Sequence, residues 1–190
     1  MTGYVNLPQH LQQRLRAELR PGESIVWAGQ PIPDRFMKGG FLLWFFFIPW
    51  TAFSLFWIAG ASGFKLPSFD SGWSFFPLFG LPFLLIGLGG LSAPIWLRRK
   101  ALSIIYAITN ERAISIEGAK SVTVKFYLVN GLKALERTEH QDGSGDLVFQ
   151  DEHYRDSDGD RQTRKKGFFA IADVRRVEQL LERLIETNHA

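Results

Sequence analysis

Two long uncharged apolar segments stand near the middle of the chain, Gly39–Gly60 and Ser71–Leu97. Both are rich in Phe, Leu, Ile and Trp, and the charged residues of the loop between them are Lys65 and Asp70. At about 1.5 Å per residue, a helix over the first segment would be roughly 33 Å long, enough to cross the ~30 Å hydrocarbon core of a bilayer. The pattern therefore predicts a transmembrane hairpin.

The two predicted spans cover about residues 39–60 and 75–96, and Pro49 is expected to kink the first of them. Neither span contains Asp, Glu, Lys, Arg or His. Because ionisable residues inside a membrane usually mark ion or proton pathways, the spans argue against a transporter or pump. The competing interpretation is a pair of buried core helices in a soluble protein, but helices this long and uncharged are unusual in a chain of 190 residues.

Basic residues flank the hairpin on its two outer sides, whereas the connecting loop has one lysine and one aspartate. Positive residues are retained on the cytoplasmic side of a membrane, so both termini are predicted to be cytoplasmic. Tryptophans near the ends of the spans are typical interfacial anchors. The side chains predicted to lie at the membrane interface are Arg35, Lys38, Trp73, Trp96, Arg98, Arg99 and Lys100.

Before the first span, leucines recur at every fourth position and predict an amphipathic helix over Leu7–Leu19. Pro21 and Gly22 end this helix, and Glu23–Gln30 then predicts a short strand. The basic residues Arg14, Arg16 and Arg20 would give the helix affinity for anionic headgroups. The alternative is that its apolar face packs on the C-terminal domain, and we favour that alternative.

After the second span the apolar period changes to two, which indicates β-structure. Together with 23–30, the predicted strands cover 101–109, 112–117, 121–129, 132–139, 146–150 and 167–171. An amphipathic helix follows from Asp173 to about Thr187. The predicted organisation is an N-terminal helix and first strand (1–38), a transmembrane hairpin (39–97), and an α+β domain (98–190) in which one helix covers a face or end of an antiparallel sheet.

One hairpin carries a resemblance to a known family. The run from Tyr106 through Thr109 and Asn110 to Arg112 directly follows the apolar segments and a basic cluster. It resembles bacterial pleckstrin-homology (bPH) membrane proteins, which show a Tyr-x-hydrophobic-Thr-Asn-x-Arg hairpin at this place. The resemblance covers roughly Arg98–Ile185 and implies a bacterial inner-membrane protein with a cytoplasmic PH-like domain of about seven antiparallel strands and a C-terminal helix.

The motif residues Tyr106, Thr109, Asn110 and Arg112 are predicted to be structural rather than ligand-binding. Asparagine suits a tight turn, and the arginine is expected to tie the hairpin to a neighbouring carboxylate. Classical PH domains bind phosphoinositides through basic residues, but no comparable basic pocket is evident in this sequence. The match to the family is poorer over Asp151–Arg164, which is predicted to be a polar loop.

Charge and composition narrow the classes of partner. The formal net charge of +3 is gathered beside the apolar segments, which indicates phospholipid rather than nucleic acid as the acidic partner. The chain has no cysteine, so it has no disulfide framework, thiolate nucleophile or cysteine-based zinc site. Residues 1–20 lack the continuous apolar stretch of a signal peptide, so the first span is expected to remain as an anchor.

Two features invite a metal site and neither fits one. Asp156, Asp158 and Asp160 alternate as calcium ligands do, but Arg161 takes the position that an EF-hand gives to glycine, and Gly167 that of its glutamate. Metal-ligand spacing is also absent from the histidines, which are His10, His140, His153 and His189. No catalytic motif is recognisable. The sequence therefore predicts a protein that is not an enzyme and holds no cofactor.

Together these patterns predict a two-pass membrane protein whose cytoplasmic domain is an interaction or assembly platform. Its partners would be the lipid bilayer and another membrane protein or a further copy of the chain. The alternative is a lipid-sensing or accessory subunit of a membrane enzyme complex. A membrane enzyme with a carboxylate site is a third, more remote option.

Overall fold

A computed structural model describes residues 3–4, 7–64, 76–118, 121–132, 135–155 and 159–189. The chain divides into two units, one formed by residues 1–36 together with 99–190 and the other by residues 37–98. The first is a β-sheet unit with helices, and the second is helical. The chain therefore leaves the sheet unit once and returns to it.

The first sheet of the sheet unit contains five strands in the order β1-β2-β3-β4-β5. These are β1 (Gly3–Tyr4), β2 (Ile25–Gly29), β3 (Ile105–Thr109), β4 (Arg112–Glu117) and β5 (Thr123–Leu128). β1 is parallel to β2, and the other neighbours are antiparallel. Ala28 of β2 lies opposite Ala107 of β3, so the strand predicted before the apolar segments belongs to the same sheet as the strands after them.

The second sheet consists of β6 (Glu136–Glu139), β7 (Gly145–Arg155) and β8 (Arg161–Ile171), all antiparallel. The prediction of a polar loop over 151–164 was wrong for most of that range, because β7 and β8 continue as a paired ribbon through Arg155 and Arg161. Residues 161–165 of the ribbon are all exposed. A ribbon exposed on both faces has no apolar alternation, and so its sequence resembles that of a loop.

Between the sheets lies an aromatic core that the C-terminal helix completes. Trp27, Tyr106, Phe149 and Phe168 are buried in it, and the Phe149 and Phe168 rings meet edge to face at 5.2 Å. The C-terminal helix, Val174–His189, adds the buried side chains of Val174, Val177, Leu181 and Leu184. Seven antiparallel strands in two sheets and a C-terminal helix are therefore confirmed, with β1 as an additional parallel strand.

A second apolar cluster covers the outer face of the first sheet. Helix α1 (Gln9–Ala17) contributes the buried Leu11 and Leu15, with Leu7 just before it. They pack against residues of β2, β3 and β4, which include Ile25, Ala28, Ile105, Ala107, Ile114 and Ile116. The structure thus confirms that the predicted amphipathic helix packs on the sheet.

The helical unit begins after the short helix α2 (Pro33–Phe36) and contains α3 (Phe41–Ala61) and α4 (Leu81–Leu91), followed by α5 (Ala93–Ala101), which ends in the sheet unit. The continuous helical stretch Pro33–Ala61 is long and apolar enough to cross a membrane. The second predicted span is bent by 40° between α4 and α5. Pro94 explains the break, because proline has no N–H and its ring clashes with the carbonyl four residues earlier.

Small residues let α3 and α4 approach closely. A Cβ atom on Gly90 would collide with the ring of Phe47, and one on Gly87 would collide with the side chain of Thr51. The buried hydroxyl of Thr51 donates to the carbonyl of Phe47 in its own helix, at 2.7 Å. The two helices therefore form a hairpin with each other.

Candidate functional site

The motif of the β3–β4 turn forms a buried ion pair with the segment before β2. The guanidinium of Arg112 donates from Nε to Glu23 Oε1 and from Nη2 to Glu23 Oε2, both at 2.9 Å. The side chains are 4% and 0% exposed, respectively. Such a bidentate, charge-assisted pair combines strong attraction with a fixed geometry. Glu23 is therefore the carboxylate partner expected for Arg112.

The other residues of the turn extend this network. Thr109 Oγ1 accepts the N–H of Arg112 at 3.0 Å and donates to Glu23 Oε1 at 2.8 Å. Asn110 Oδ1 accepts the N–H of Ser24 at 2.8 Å. Arg112 Nη2 also donates to the carbonyl of Glu18, just after α1, at 3.0 Å. Every one of these bonds connects the turn to itself or to residues 18–24.

Glu23 remains ionised in this environment. Burial by itself raises the pKa of its carboxyl group, but hydrogen bonds from Arg112, from the Arg20 N–H and from Thr109 outweigh burial. The pKa of Glu23 is therefore lowered from its ordinary value of 4.5. Among the described residues, no buried side-chain nitrogen or oxygen lacks a hydrogen-bond partner. The network is thus internally satisfied and holds the fold together.

Sequence reasoning identified Arg112 but missed Glu23. The two residues are 89 positions apart, and the whole helical unit lies between them in the sequence. The available signal was a glutamate at the start of the predicted strand 23–30, and an exposed glutamate at a strand end would give the same pattern. The pairing became visible only when β2 was placed beside β3.

Tyr106, the first residue of the motif, belongs to the aromatic core. Its ring stacks on Phe168 with centroids 4.7 Å apart. Burial raises the pKa of the Tyr106 hydroxyl well above its ordinary value of 10.0. A neutral, buried phenol of this kind contributes packing rather than acid–base chemistry.

A cleft of about 200 Å³ lies among β4, β5, β7 and β8. Its charged lining residues are Glu117, Lys125, Glu152, Arg164, Lys165 and Lys166. Lys125 binds Glu117 at 2.8 Å, and Lys166 binds Glu152 at 2.9 Å. The structure thus adds a cleft that the sequence did not reveal, and the cleft presents charges of both signs rather than a cationic pocket.

The predicted interface residues do not share one environment. Arg35, in α2, pairs with Asp142 in the turn before β7. Hydrogen bonds from Ser144 and then from Arg35 lower the pKa of Asp142 well below its ordinary value of 3.8. Trp96 is exposed and donates from Nε1 to Ser92 Oγ at 3.1 Å. The side chains of Lys38, Arg98, Arg99 and Lys100 are exposed, and Trp73 lies outside the described residues.

The histidines and aspartates considered as metal ligands do not form a metal site among the residues that the structure describes. No group of three His, Cys, Asp or Glu residues with metal-binding geometry occurs among the described residues. His10 and His140 are exposed. The side chains of His153 and His189, and residues 156–158 of the aspartate run, lie outside the described part of the chain.

Comparisons of the chain with protein-family models, with characterised proteins and with solved structures found no match.

Proposed function

We propose that the chain is a two-pass protein of a bacterial inner membrane and displays its sheet unit in the cytoplasm as a non-enzymatic interaction or assembly platform. The observation that carries the membrane part of this proposal is the bare apolar surface of the helical unit. Large side chains such as Leu42, Phe53 and Phe56 are 85%, 67% and 67% exposed. In water such a surface would cause association, whereas lipid chains would cover it.

The burial of α3 favours a span over a soluble core helix. Only 11% of its most apolar stretch is buried. A core helix of a soluble protein is covered by its own domain on most sides. The bent second helix would be the returning span, and the basic residues on the outer flanks would keep both termini in the cytoplasm.

A PH-like fold for the sheet unit is part of the proposal. Its support is an arrangement of four antiparallel strands (β2–β5) and three (β6–β8) around one core that a C-terminal helix completes. The Tyr106–Arg112 hairpin adds the sequence resemblance. The parallel strand β1 and the insertion of the helical unit between β2 and β3 are departures from a simple barrel.

The polar groups of the Glu23–Arg112 network fit a role as an interaction platform better than a role in catalysis. Nε and Nη2 of Arg112 donate to Glu23 and to the carbonyl of Glu18, and the hydroxyl of Thr109 is used within the same network. These residues fix the unit's shape and leave its surfaces for contacts. The unit would therefore act through what binds to it.

The mixed-charge cleft favours one second candidate, recognition of a lipid headgroup. Lys125 and the run Arg164–Lys166 supply cations, while Glu117 and Glu152 would suit the cationic part of a zwitterionic group. Under this alternative the protein would be a lipid sensor or an accessory subunit of a membrane enzyme complex.

Reporter fusions after residues 68 and 190 test the topology. A reporter active only outside the cytoplasm should give a signal at residue 68 and none at residue 190, and a cytoplasmic reporter should give the reverse. Equal signals at both positions would contradict the hairpin. Exchange of Arg98, Arg99 and Lys100 for glutamine serves as a control, because it should weaken the preference without changing the spans.

Extraction in a gentle detergent followed by mass measurement tests the platform. A homo-oligomer or a defined co-purifying membrane protein is the expected result. A monomer without a partner that binds saturably to anionic vesicles would favour the lipid sensor instead. Reversal of Lys125 to glutamate should abolish that vesicle binding if the cleft is responsible.

A further inference from the structure

The outer face of β5 is apolar and uncovered. Val124, Phe126 and Leu128 alternate along this strand, and Val122 directly before it continues the alternation, while Tyr127 on the other face is buried in the core. Val122 and Phe126 are each 44% exposed, and Leu128 is 56% exposed. We call these four residues the β5 strip.

The β5 strip is the uncovered margin of a face that is otherwise covered. Helix α1 and its flanking leucines pack over the residues of β2, β3 and β4 on this face, and Val124 touches the edge of that cluster. The guanidinium of Arg112 lies 4.2 Å from the centre of the Phe126 ring and covers one side of it. The remaining surface of the strip has no cover among the described residues.

The backbone of β5 is also free to pair. It is the last strand of the first sheet, and among the described residues it pairs with β4 alone. In an edge strand, alternate N–H and C=O groups point away from the sheet and can extend it. Proteins usually protect such an edge with charges or proline; β5 has no proline, and its one charged side chain, Lys125, is bound to Glu117 of the neighbouring strand.

We propose that β5 pairs antiparallel with β5 of a second copy of this chain, about a two-fold axis. One continuous sheet then runs through both copies, and the two strips lie side by side on the same face. This inference rests on the proposed role of the unit as an interaction platform, and it names the partner as the chain itself.

Charge selects both the occupant and the register. The one charged side chain of β5 is Lys125, on the inner face, where it binds Glu117. A two-fold axis at Lys125 would place two lysines opposite each other, which is unfavourable. With Phe126 on the axis, the two Phe126 rings are opposite each other, Val124 is opposite Leu128, and Lys125 is opposite Tyr127. In this register the uncharged apolar side chains of Val124, Phe126 and Leu128 meet the same three residues of the second copy, so this part of the strip is complementary to itself.

Cysteine cross-linking tests the register directly, because the natural chain has no cysteine. Directly opposite Cα atoms in an antiparallel pair are about 4.5–5.5 Å apart, within the range of a disulfide. In oxidised native membranes, the full chain with Phe126→Cys should form a disulfide-linked dimer. Val124→Cys alone and Leu128→Cys alone should give at least about tenfold less dimer, and co-expression of these two variants should restore it.

Arg176→Cys is the matched control, because Arg176 is exposed on the C-terminal helix, which is not part of the proposed strand pairing. Cross-linking of this variant as strong as that of Phe126→Cys would overturn the proposal. So would cross-linking of Phe126→Cys to a different protein in place of a second copy.

Opposite charges introduced at Phe126 give an independent test, in which the mass of the protein is measured in gentle detergent. The mass of the natural chain should be about twice 21.6 kDa, and Phe126→Glu or Phe126→Lys alone should halve it. A mixture of the two variants should recover the dimer, which also shows that both fold. A mixture that stays monomeric, or a natural chain that is monomeric, would overturn the pairing.

The reporter fusions keep the two proposals separate. Opposite compartments at residues 68 and 190 without a Phe126 cross-link would overturn the strand pairing and leave the membrane topology intact. Equal reporter signals together with the cross-link would overturn the topology and support the pairing.

Discussion

At the scale of single residues, the pair Glu23–Arg112 joins two parts of the chain that the helical unit separates. Residues 1–36 are not followed in sequence by the strands they pack against, so the sheet unit depends on contacts across the insertion. The pair lies at the end of α1 and at the turn between β3 and β4. The pair therefore stabilises the packing of α1 and β2 against the rest of the sheet.

Loss of one partner of this pair should be strongly destabilising. Arg112→Ala would leave Glu23 as a buried charge without its partner, and breaking such a pair costs about 3–5 kcal/mol. We expect the free energy of unfolding of the sheet unit, measured by urea unfolding in mild detergent, to fall by that amount. A variant as stable as the natural protein would contradict the role of the pair.

Thr109 provides a milder test with a matched control. Thr109→Val keeps the shape but removes the hydroxyl that accepts from Arg112 and donates to Glu23, so a cost of about 1–3 kcal/mol is expected. Thr109→Ser keeps the hydroxyl and should cost clearly less. Equal losses in the same unfolding measurement would show that the hydroxyl is unimportant.

Acid should weaken the sheet unit through Glu23. Its folded pKa lies below the ordinary value of 4.5, so its contribution to stability is complete above about pH 4.5 and is lost as the pH falls through the folded pKa. Glu23→Gln should be less stable than the natural protein at pH 7. The difference between the two free energies of unfolding should shrink as the pH is lowered from 4.5.

Asp142 gives the control for this pH series. The pKa of Asp142 is lowered too, so its contribution to stability is also lost as the pH falls. Asp142→Asn should leave the Glu23-dependent difference unchanged, because Asp142 interacts with Arg35 and Ser144 and not with Glu23. A difference that is constant from pH 7 to pH 3 would contradict a lowered pKa for Glu23.

At the scale of elements, regular alternation identified strands but did not decide which side of them is buried. The alternation in β5 predicts a strand equally well with either face inward, and the structure places Tyr127 rather than Phe126 in the core. The strand predicted from residue 101 begins only at Ile105, because Ala101 still belongs to α5. The neighbours of an element, rather than its own period, settle such questions.

Two adjacent glycines of α4 test the helix hairpin. Gly90→Ala should lower the thermal stability of the helical unit in detergent, because the new methyl group would collide with the Phe47 ring. Gly89→Ala is the matched control, since a Cβ there meets no atom within 4 Å, and alanine favours a helix more than glycine does. Equal effects of the two substitutions would contradict the close packing of α3 on α4.

At the scale of the whole molecule, the helical unit is an insertion between neighbouring strands. Gly29 at the end of β2 lies opposite Tyr106 near the start of β3. Gln30 Nε2 donates to the carbonyl of Leu102 at 2.8 Å, so the two chain segments are also joined beside the strand ends. The connections to the insertion therefore leave from adjacent ends of two neighbouring inner strands, the end of β2 and the start of β3.

Removal of the insertion should leave a folded protein. A chain in which a short Gly-Ser linker replaces residues 37–98 should be soluble without detergent and show a circular dichroism spectrum rich in β-structure. The reason is that the core and the Glu23–Arg112 network lie wholly in the sheet unit. An aggregated or unfolded product would show that the sheet unit depends on the helical one.

The sequence by itself determined the apolar segments, α1, the β3–β4 hairpin and the C-terminal helix, because each depends on a period or a composition within a short stretch of chain. Only the tertiary structure decided which carboxylate pairs with Arg112, that the polar run after Asp151 is a ribbon, and that the apolar strip of β5 faces outward. Each of these depends on residues far apart in the sequence, such as Glu23 and Arg112, whose separation of 89 positions no local pattern records. The physical reason is that burial and ion pairing are decided by neighbours in space, whereas periodicity reports only neighbours along the chain.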